Sequence, residues 1–450
     1  MTTDYHGQHA AVLGLGRSGQ AAAHLLLDSG ARVTVLDSGE PAARRGVAER
    51  LSSRGARVVL GNDALRCVEE FDFAVLSPGI DPTAPLAQRA VESGIPLVGE
   101  IELAFRHCRC PVVAVTGTNG KTTTTGLVAA LLGAAGLSVE ACGNIGLPFS
   151  DVAARSAALD AVIVEISSFQ LETTETFRPK VAVWTNFSAN HLDRYPDVAS
   201  YRAAKLRIFE RQTADDFAVV NAREELPPLR ARRVTFTAAR ATEADFTLGP
   251  DGSIRHRGQA ILSLAETHLR GPHNAENLMA ALGAGHCLGV DFTAMRPGAL
   301  AYLPPAHRGE FVAEIDGVTW INDSKSTNLD ALAQALRGAG QGVVLIAGGK
   351  NKGFDFAPLA GLVGEHVKAA VLIGEMREDI ARDWAGAVSC HPVDGLAVAV
   401  VQAAALARPG DTVLFSPGTS SFDMFRDYEE RGDFFKQLTH QIKPNQPKKT

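Results

Sequence analysis

Residues 112–125 read Val-Val-Ala-Val-Thr-Gly-Thr-Asn-Gly-Lys-Thr-Thr-Thr-Thr, an apolar run that ends in a glycine turn and reopens as a helix. A buried-type strand that feeds such a turn and then a lysine and a hydroxyl suits the wrapping of phosphates. Backbone N–H groups must point inward, so Cβ atoms must be missing where the chain wraps. Gly117 and Gly120 supply that, Lys121 supplies the cation, and Thr122 supplies a hydroxyl for Mg²⁺. The strict phosphate-loop pattern has one more glycine five positions before the Gly-Lys pair, where this chain has Val115. The shorter form over 117–122 remains. It predicts a triphosphate site at the head of a helix in an α/β sheet.

The strand, glycine turn and helix pattern recurs along the 450 residues. Residues 10–15 form an apolar run ending in Gly14 and Gly16, residues 20–27 have a helical pattern, and 31–36 and 73–76 are β-rich. A second block opens at Pro111, with the loop helix running to residue 135 and further strands at 161–166 and 181–185. A third follows Leu303-Pro304-Pro305, a linker-like proline pair, with strands at 319–322, 343–347, 370–373 and 412–416. Such alternation predicts parallel sheets flanked by helices. Three domains are expected, spanning 1–104, 105–304 and 305–450.

Gly14-Leu15-Gly16-Arg17-Ser18-Gly19 matches GxGxxG, and Asp37 ends the second predicted strand. Such a loop accepts a diphosphate, and the acidic residue accepts ribose hydroxyls. A UDP-sugar offers both groups. So does a nicotinamide dinucleotide, but an NAD-dependent dehydrogenase leaves the loop at Gly117 without a role. Downstream, Glu165 ends an apolar run, His191 and Asp193 follow the next strand, and Lys205 lies on a predicted helix over 200–210. A carboxylate at the carboxyl end of a strand can hold Mg²⁺ or its water. Each residue alone reads as an ordinary polar side chain; their order behind a phosphate loop makes them a candidate metal set.

A net charge of −6 over 44 basic and 50 acidic side chains does not suggest the basic face of a nucleic-acid binder. Apolar runs such as 343–347 fall far short of the roughly 20 residues of a membrane span. The opening MTTDYHGQHA lacks the basic and apolar regions of a secretory leader, and the closing KPNQPKKT reads as a frayed tail. Neither nucleic acid nor membrane is an expected partner. The six cysteines are scattered and read as free thiols of a reducing cytosol. His107, Cys108 and Cys110 are neighbours, but one cluster without a second half reads as incidental.

Together the motifs resemble the Mur ligase family. The resemblance is carried by the loop at 117–122, Asn144-Ile145-Gly146, residues 165–172 (EISSFQLE), 190–196 (NHLDRYP), 201–205 (YRAAK) and 271–277 (GPHNAEN). It continues through His307-Arg308, residues 322–328 (NDSKSTN), 348–352 (GGKNK) and 420–425 (SSFDMF), in the family's order. It implies an α/β protein of three domains: a Rossmann-like UDP-binding domain, a central ATPase with a mostly parallel sheet, and a Rossmann-like third domain. It also implies a cytoplasmic enzyme of peptidoglycan precursor synthesis; a monomer is the plain expectation, since the sequence does not encode a readable oligomeric state. That enzyme would use ATP and two Mg²⁺ ions to join D-glutamate to UDP-N-acetylmuramoyl-L-alanine through an acyl phosphate.

Residue by residue, the resemblance implies an ATP set of Gly117, Thr118, Asn119, Gly120, Lys121, Thr122 and Thr123. Asn274 and Asn277 join it at the adenine, and Arg308 and Asp323 come from the third domain. Thr122, Glu165, His191 and Lys205 match the metal set, Lys205 being the lysine that the family carbamylates with CO₂. Lys121, His191 and Lys205 are the expected catalytic residues. The UDP-substrate set is Gly14, Leu15, Gly16, Arg17, Ser18, Asp37, Ser38, Ser77, Gly79 and Asn144. The amino-acid set is Lys325, Thr327, Lys352, Ser421 and Tyr428, the last standing where Phe is often found. Family members that add alanine, diamino acids or dipeptides share the ATPase core, and an L-glutamate-adding or other Mur-type amino-acid ligase is the alternative reading. Folylpolyglutamate synthetase lacks a glycine-rich first domain, so residues 14–19 argue against it.

Overall fold

The computed structural model describes residues 4–39, 41–67, 70–188, 194–239 and 242–442. Its apolar runs pair into three sheets. The first holds β1 (His9–Leu13), β2 (Arg32–Asp37), β3 (Arg57–Leu60), β4 (Phe73–Leu76) and β5 (Leu97–Gly99), all parallel, in the order β3-β2-β1-β4-β5. Ala10 and Val12 face one core cluster, and Ala11 and Leu13 face the other. Burial on both faces is why β1 from Ala10 onward is an unbroken apolar run rather than an alternating one. The chain reverses direction across the sheet between β1 and β4, which opens a crevice at their carboxyl ends. The helix there spans Arg17–Asp28, three residues earlier than the apolar pattern began, because extended Gly16 serves as its N-cap.

The second sheet holds β6 (Val112–Thr116), β7 (Val139–Gly143), β8 (Ala161–Glu165), β9 (Val181–Trp184), β10 (Phe217–Asn221), β11 (Arg232–Thr237), β12 (Phe246–Leu248), β13 (Ser253–His256) and β14 (Gln259–Ser263). Its order is β14-β13-β12-β11-β10-β9-β6-β8-β7, parallel except for the antiparallel β12-β13-β14 end. Helix Glu100–His107 is tied to this sheet by Glu102. That buried carboxylate accepts N–H groups of Glu175 (2.9 Å) and Phe177 (3.1 Å) and pairs with Arg106 (2.9 Å).

The third sheet holds β15 (Glu310–Ile315), β16 (Val318–Asn322), β17 (Val343–Gly348), β18 (Val367–Ile373), β19 (Ser389–Pro392) and β20 (Thr412–Phe415), in the order β15-β16-β20-β17-β18-β19. Only β15 runs antiparallel to its neighbour. The chain divides into two compact units. Met1–Glu266 with Glu276–Tyr302 carries the first two sheets, and Thr267–Ala275 with Leu303–Thr450 carries the third.

Among the described residues no helix is long and apolar enough to cross a membrane. All six cysteines are free. His107 is a packing residue: it bonds Leu103 O at 2.9 Å and Ser29 Oγ at 3.0 Å and stacks on Tyr5.

Candidate active site

β6 lies between β8 and β9, where the order of the central sheet turns, so the loop after it opens at the sheet's carboxyl edge. The segment after β9 holds that loop. Thr118 N–H donates to Asn186 O (2.9 Å), Asn119 N–H donates to Asn186 Oδ1 (2.9 Å), and Thr185 Oγ1 donates to Asn119 O (2.6 Å). Sequence reasoning missed Thr185 and Asn186. Their signal is a polar pair placed directly after a buried strand that neighbours β6.

Gly120 sits in the left-handed region (φ 81°) as N-cap of helix Lys121–Ala134. Among the described residues no side chain caps this helix and no acidic residue sits in its first turn. Its leading N–H groups and the positive end of its dipole therefore suit an anion. Thr122 is half-buried at that end. Thr123 is buried, and Thr124 Oγ1 donates to Asn277 Oδ1 at 3.2 Å.

Two amines converge on one carbonyl. Lys121 Nζ donates to Gly117 O (3.0 Å) and Thr118 O (2.8 Å), and Lys205 Nζ donates to Gly117 O (2.8 Å). Lys205 is 2% exposed. Burial first, and then the Lys121 charge, hold its amine well below the ordinary lysine pKa, with Glu165 opposing. Glu165, at the end of β8, is also buried. Its Oε1 accepts from Asn144 Nδ2 at 2.9 Å, and its Oε2 has no partner among the described residues. Leaving a buried acceptor unsatisfied costs about 1–3 kcal/mol, and more for a charged one. A hard cation at Oε2 would remove that cost, so Glu165 fits a Mg²⁺ site, whereas an unmodified lysine amine cannot serve as an oxygen ligand. His191 and Asp193 lie outside the described residues.

At the first sheet, Asp37 is committed to the backbone. Its Oδ2 accepts Leu15 N–H (2.6 Å) and its Oδ1 accepts Gly39 N–H (2.8 Å), so it shapes the glycine loop itself. Ser77 is buried, with its hydroxyl 3.4 Å from Gly14 O. Gly16, Arg17, Ser38, Gly79 and Asn144 are exposed, and Ser18 is half-buried.

In the second unit, Asp323 follows β16 and is buried. Its Oδ2 accepts from Ser416 Oγ (2.8 Å) and its Oδ1 accepts Gly309 N–H (3.1 Å). Burial pushes its pKa up to about 6, against the Ser416 hydrogen bond and the Arg308 charge. Arg308 Nε is buried with no partner among the described residues. Asn274 Nδ2 donates to Arg270 O at 3.0 Å.

Tyr428 OH accepts from Lys325 Nζ (3.1 Å) and donates to Glu429 Oε1 (3.0 Å), with the ammonium 4.8 Å from the ring centroid. Ser421 is buried and Thr327 half-buried, while exposed Lys352 lies over Phe354. Arg431, also missed by sequence reasoning, is fully buried. It donates to Ser324 Oγ (3.0 Å), Ser324 O (2.7 Å) and Thr419 O (3.2 Å), fastening the segment of Asp323 and Lys325 to that of Ser421. Its signal is a charge on the buried stripe Arg431, Phe435, Thr439 of helix Tyr428–His440.

A triphosphate on the Gly120 helix would bring its anionic end among Lys121, Thr122 and Glu165, which is the layout of an ATP-using enzyme with Rossmann-like sheets at either end of its chain. The chain belongs to the Mur ligase family. Residues 8–99 match the Mur ligase MurD-like N-terminal domain, 115–285 the Mur ligase middle domain, and 307–418 the Mur ligase glutamate ligase domain. The chain is 40% identical, over 98% of its length and 100% of the relative's, to a UDP-N-acetylmuramoylalanine–D-glutamate ligase of Pelotomaculum thermopropionicum. It is 43% identical, over 94% of its length and 96% of the relative's, to the like-named ligase of Trichlorobacter lovleyi. Among solved structures it is similar to a UDP-N-acetylmuramate-alanine ligase from Thermotoga maritima, with a TM-score of 0.61, 18% identity and coverage of 97% and 100% of the two chains. It is also similar to a pseudomurein peptide ligase type C from Methanothermus fervidus, with a TM-score of 0.60, 16% identity and the same coverage. Those two likenesses bear on the fold alone and agree with the three-sheet α/β architecture.

Proposed function

We infer that this protein is an ATP-dependent ligase that joins D-glutamate to UDP-N-acetylmuramoyl-L-alanine in peptidoglycan precursor synthesis. The observation that carries this is the convergence of Lys121 and Lys205 on Gly117 O of one phosphate-type loop, with Glu165 close enough to act on the Lys205 charge, in a chain similar over 98% of its length to a ligase of that name.

A free carboxylate is a poor acyl donor because oxide is a poor leaving group. In the proposed reaction an oxygen of the alanyl carboxylate attacks the γ-phosphorus, ADP departs, and an acyl phosphate forms. The neutral amine of glutamate then attacks the carbonyl carbon, phosphate leaves, and the amine proton passes to solvent. The protein's contribution is positioning and charge neutralisation. Two like charges 4 Å apart cost about 4 kcal/mol at an effective dielectric of about 20, so the cationic side chains Lys121 and Arg308 are needed where carboxylate meets triphosphate.

Roles follow from this reading. Gly117, Thr118, Asn119, Gly120, Lys121, Thr122 and Thr123 cradle the phosphates, Asn274 and Asn277 serve the adenine, and Arg308 and Asp323 reach the γ-phosphate and ribose. Mg²⁺, held by Thr122, Glu165, His191 and a carbamylated Lys205, would supply charge neutralisation at the phosphates. Carbamylation is supported by the burial of Lys205 beside Glu165, because a neutral amine can add to CO₂ and the product presents oxygens. The loops at Gly14, Ser38, Ser77 and Gly79, with Asn144, take the UDP-linked acceptor, and Lys325, Thr327, Lys352, Ser421 and Tyr428 take glutamate. Functional domains are assigned at 1–104, 105–304 and 305–450, in a cytoplasmic monomer.

The test is a panel of amino acids in both enantiomers, with ATP, Mg²⁺ and UDP-N-acetylmuramoyl-L-alanine, scored by phosphate release and product mass. D-Glutamate alone should give rapid turnover. Preference for L-glutamate or for another amino acid would overturn the substrate assignment.

A further inference from the structure

We propose that Arg194 is a positioning residue that couples the acceptor-binding loop after β4 to the metal side of the ATP site. The proposal rests on the reading above in placing the UDP-linked acceptor at Ser77 and Gly79.

Arg194 sits where three elements of the first unit meet. One guanidinium nitrogen lies 3.6 Å from Asp81 Oδ2, the other lies 3.3 Å from Glu172 Oε2, and the guanidinium carbon stands 4.0 Å from the Phe169 ring centroid. Asp81 belongs to the turn that continues the Ser77–Gly79 loop, where its carboxylate also accepts Thr83 N–H and Oγ1–H. Phe169 and Glu172 belong to helix Ser168–Glu172, which begins three residues after Glu165. Tyr195 extends the contact. Its hydroxyl donates to Glu172, its ring stacks on Phe169 at 5.7 Å, and it touches Tyr201 at 5.3 Å. Tyr201 in turn lies 4.8 Å from Lys205 Nζ. A small cavity of about 10 Å³, room for one water, lies against this junction, lined in part by Ser77, Ile80, Phe169, Gln170 and Arg194.

Partly exposed ion pairs contribute little to stability, about 0–1 kcal/mol. The Arg194 side chain is 22% exposed and that of Asp81 48%, so stability alone is a weak account of the arrangement. A planar fork aimed at two carboxylates while stacked on a ring is a geometry that arginine supports and lysine does not. Anything that moves the 77–81 loop pulls on the side chain that also fixes the helix behind Glu165 and, through Tyr195 and Tyr201, the surroundings of Lys205. A ligand on that loop therefore biases the ATP site, and linkage makes the effect reciprocal.

The test compares full-length wild type, Arg194→Lys, Asp81→Asn and the double variant. It reads the Kd of a non-hydrolysable ATP analogue with and without UDP-N-acetylmuramoyl-L-alanine, the Kd of that acceptor with and without the analogue, kcat and the melting temperature. Wild type should bind the magnesium complex of a non-hydrolysable ATP analogue at least about fivefold more tightly when the acceptor is present, the lower end of ordinary coupling. In each variant that enhancement should vanish and the acceptor Kd measured with the nucleotide analogue bound should rise by about the same factor. Nucleotide Kd without acceptor and melting temperature should hold, and the double variant should be no worse than either single one. Additive losses, a retained enhancement, or a change confined to melting temperature would reduce Arg194 to a surface ion pair. Wild-type turnover with D-glutamate separates this outcome from failure of the functional assignment.

Discussion

Replacing Gly117 with alanine tests the phosphate loop at its tightest point. Gly117 has φ 143°, a conformation that L side chains rarely adopt. A Cβ there would come within 2.0 Å of Thr185 Oγ1 and 3.0 Å of Asn186 O, the residues that brace the loop. Holding a non-glycine residue in such a region costs about 1–3 kcal/mol. Displacing the Thr185 hydroxyl forfeits its bond to Asn119 O, worth a further 0.5–1.5 kcal/mol or so. The loop relaxes by that sum, about 1.5–4.5 kcal/mol, which converts at 1.4 kcal/mol per tenfold to a loss of roughly 10- to 1,000-fold in nucleotide affinity. Gly133→Ala in the same helix is the control, because a Cβ there meets nothing within 4 Å. The assay is displacement of a fluorescent ATP analogue, alongside thermal melting to show that each variant is folded. Gly117→Ala that binds nucleotide within threefold of Gly133→Ala would refute the argument that this turn wraps phosphates.

Three further outcomes follow from the titrating groups. Lys205→Ala should lose nearly all turnover and recover part of it in millimolar short-chain carboxylate, read by phosphate release; loss without any recovery contradicts the carbamate role. Burial raises the Asp323 pKa to about 6, so the folded protein favours its neutral form. The ionised form that a ribose contact uses is then lost as pH falls through about 6, rather than near the ordinary aspartate value of roughly 4. kcat/KM for ATP should show an acid inflection near 6 that is missing in Asp323→Asn. The same shift makes the stabilisation from a neutral Asp323 complete below pH 4 or so and lost as pH rises through about 6, so the melting-temperature advantage of Asn over Asp should grow across that window. An advantage constant from pH 4 to 7 would contradict a raised Asp323.

Several interior strands were legible because both faces of a parallel sheet are buried and the strand stands out as an apolar run, as in residues 112–115 and 161–164, although the equally interior β10 was not picked out. Edge elements were not. β15 carries exposed Phe311 and an irregular register between Phe311 and Ala313, which erases its alternation. Its turn, Asp316-Gly317 with both φ positive, was a readable hairpin signal that went unused. The Arg257-Gly258 turn between β13 and β14 takes the same conformation without the usual Asn or Asp and gave no such signal. At the site, Glu165 announced itself by ending a strand. Lys205 was weaker, because a lysine on a helix reads as solvated until the fold buries it under Tyr201 and against Gly117; its order behind the phosphate loop made it a candidate, and the family resemblance gave it a role. Arg431 went unseen for the same reason.

The central claim is that the terminal phosphate of ATP is handed to the acceptor's carboxylate. UDP-N-acetylmuramoyl-L-alanine carrying ¹⁸O in both alanyl carboxylate oxygens, turned over with D-glutamate, should yield orthophosphate bearing one ¹⁸O per amide formed. Orthophosphate carrying only unlabelled oxygen while amide accumulates would contradict it.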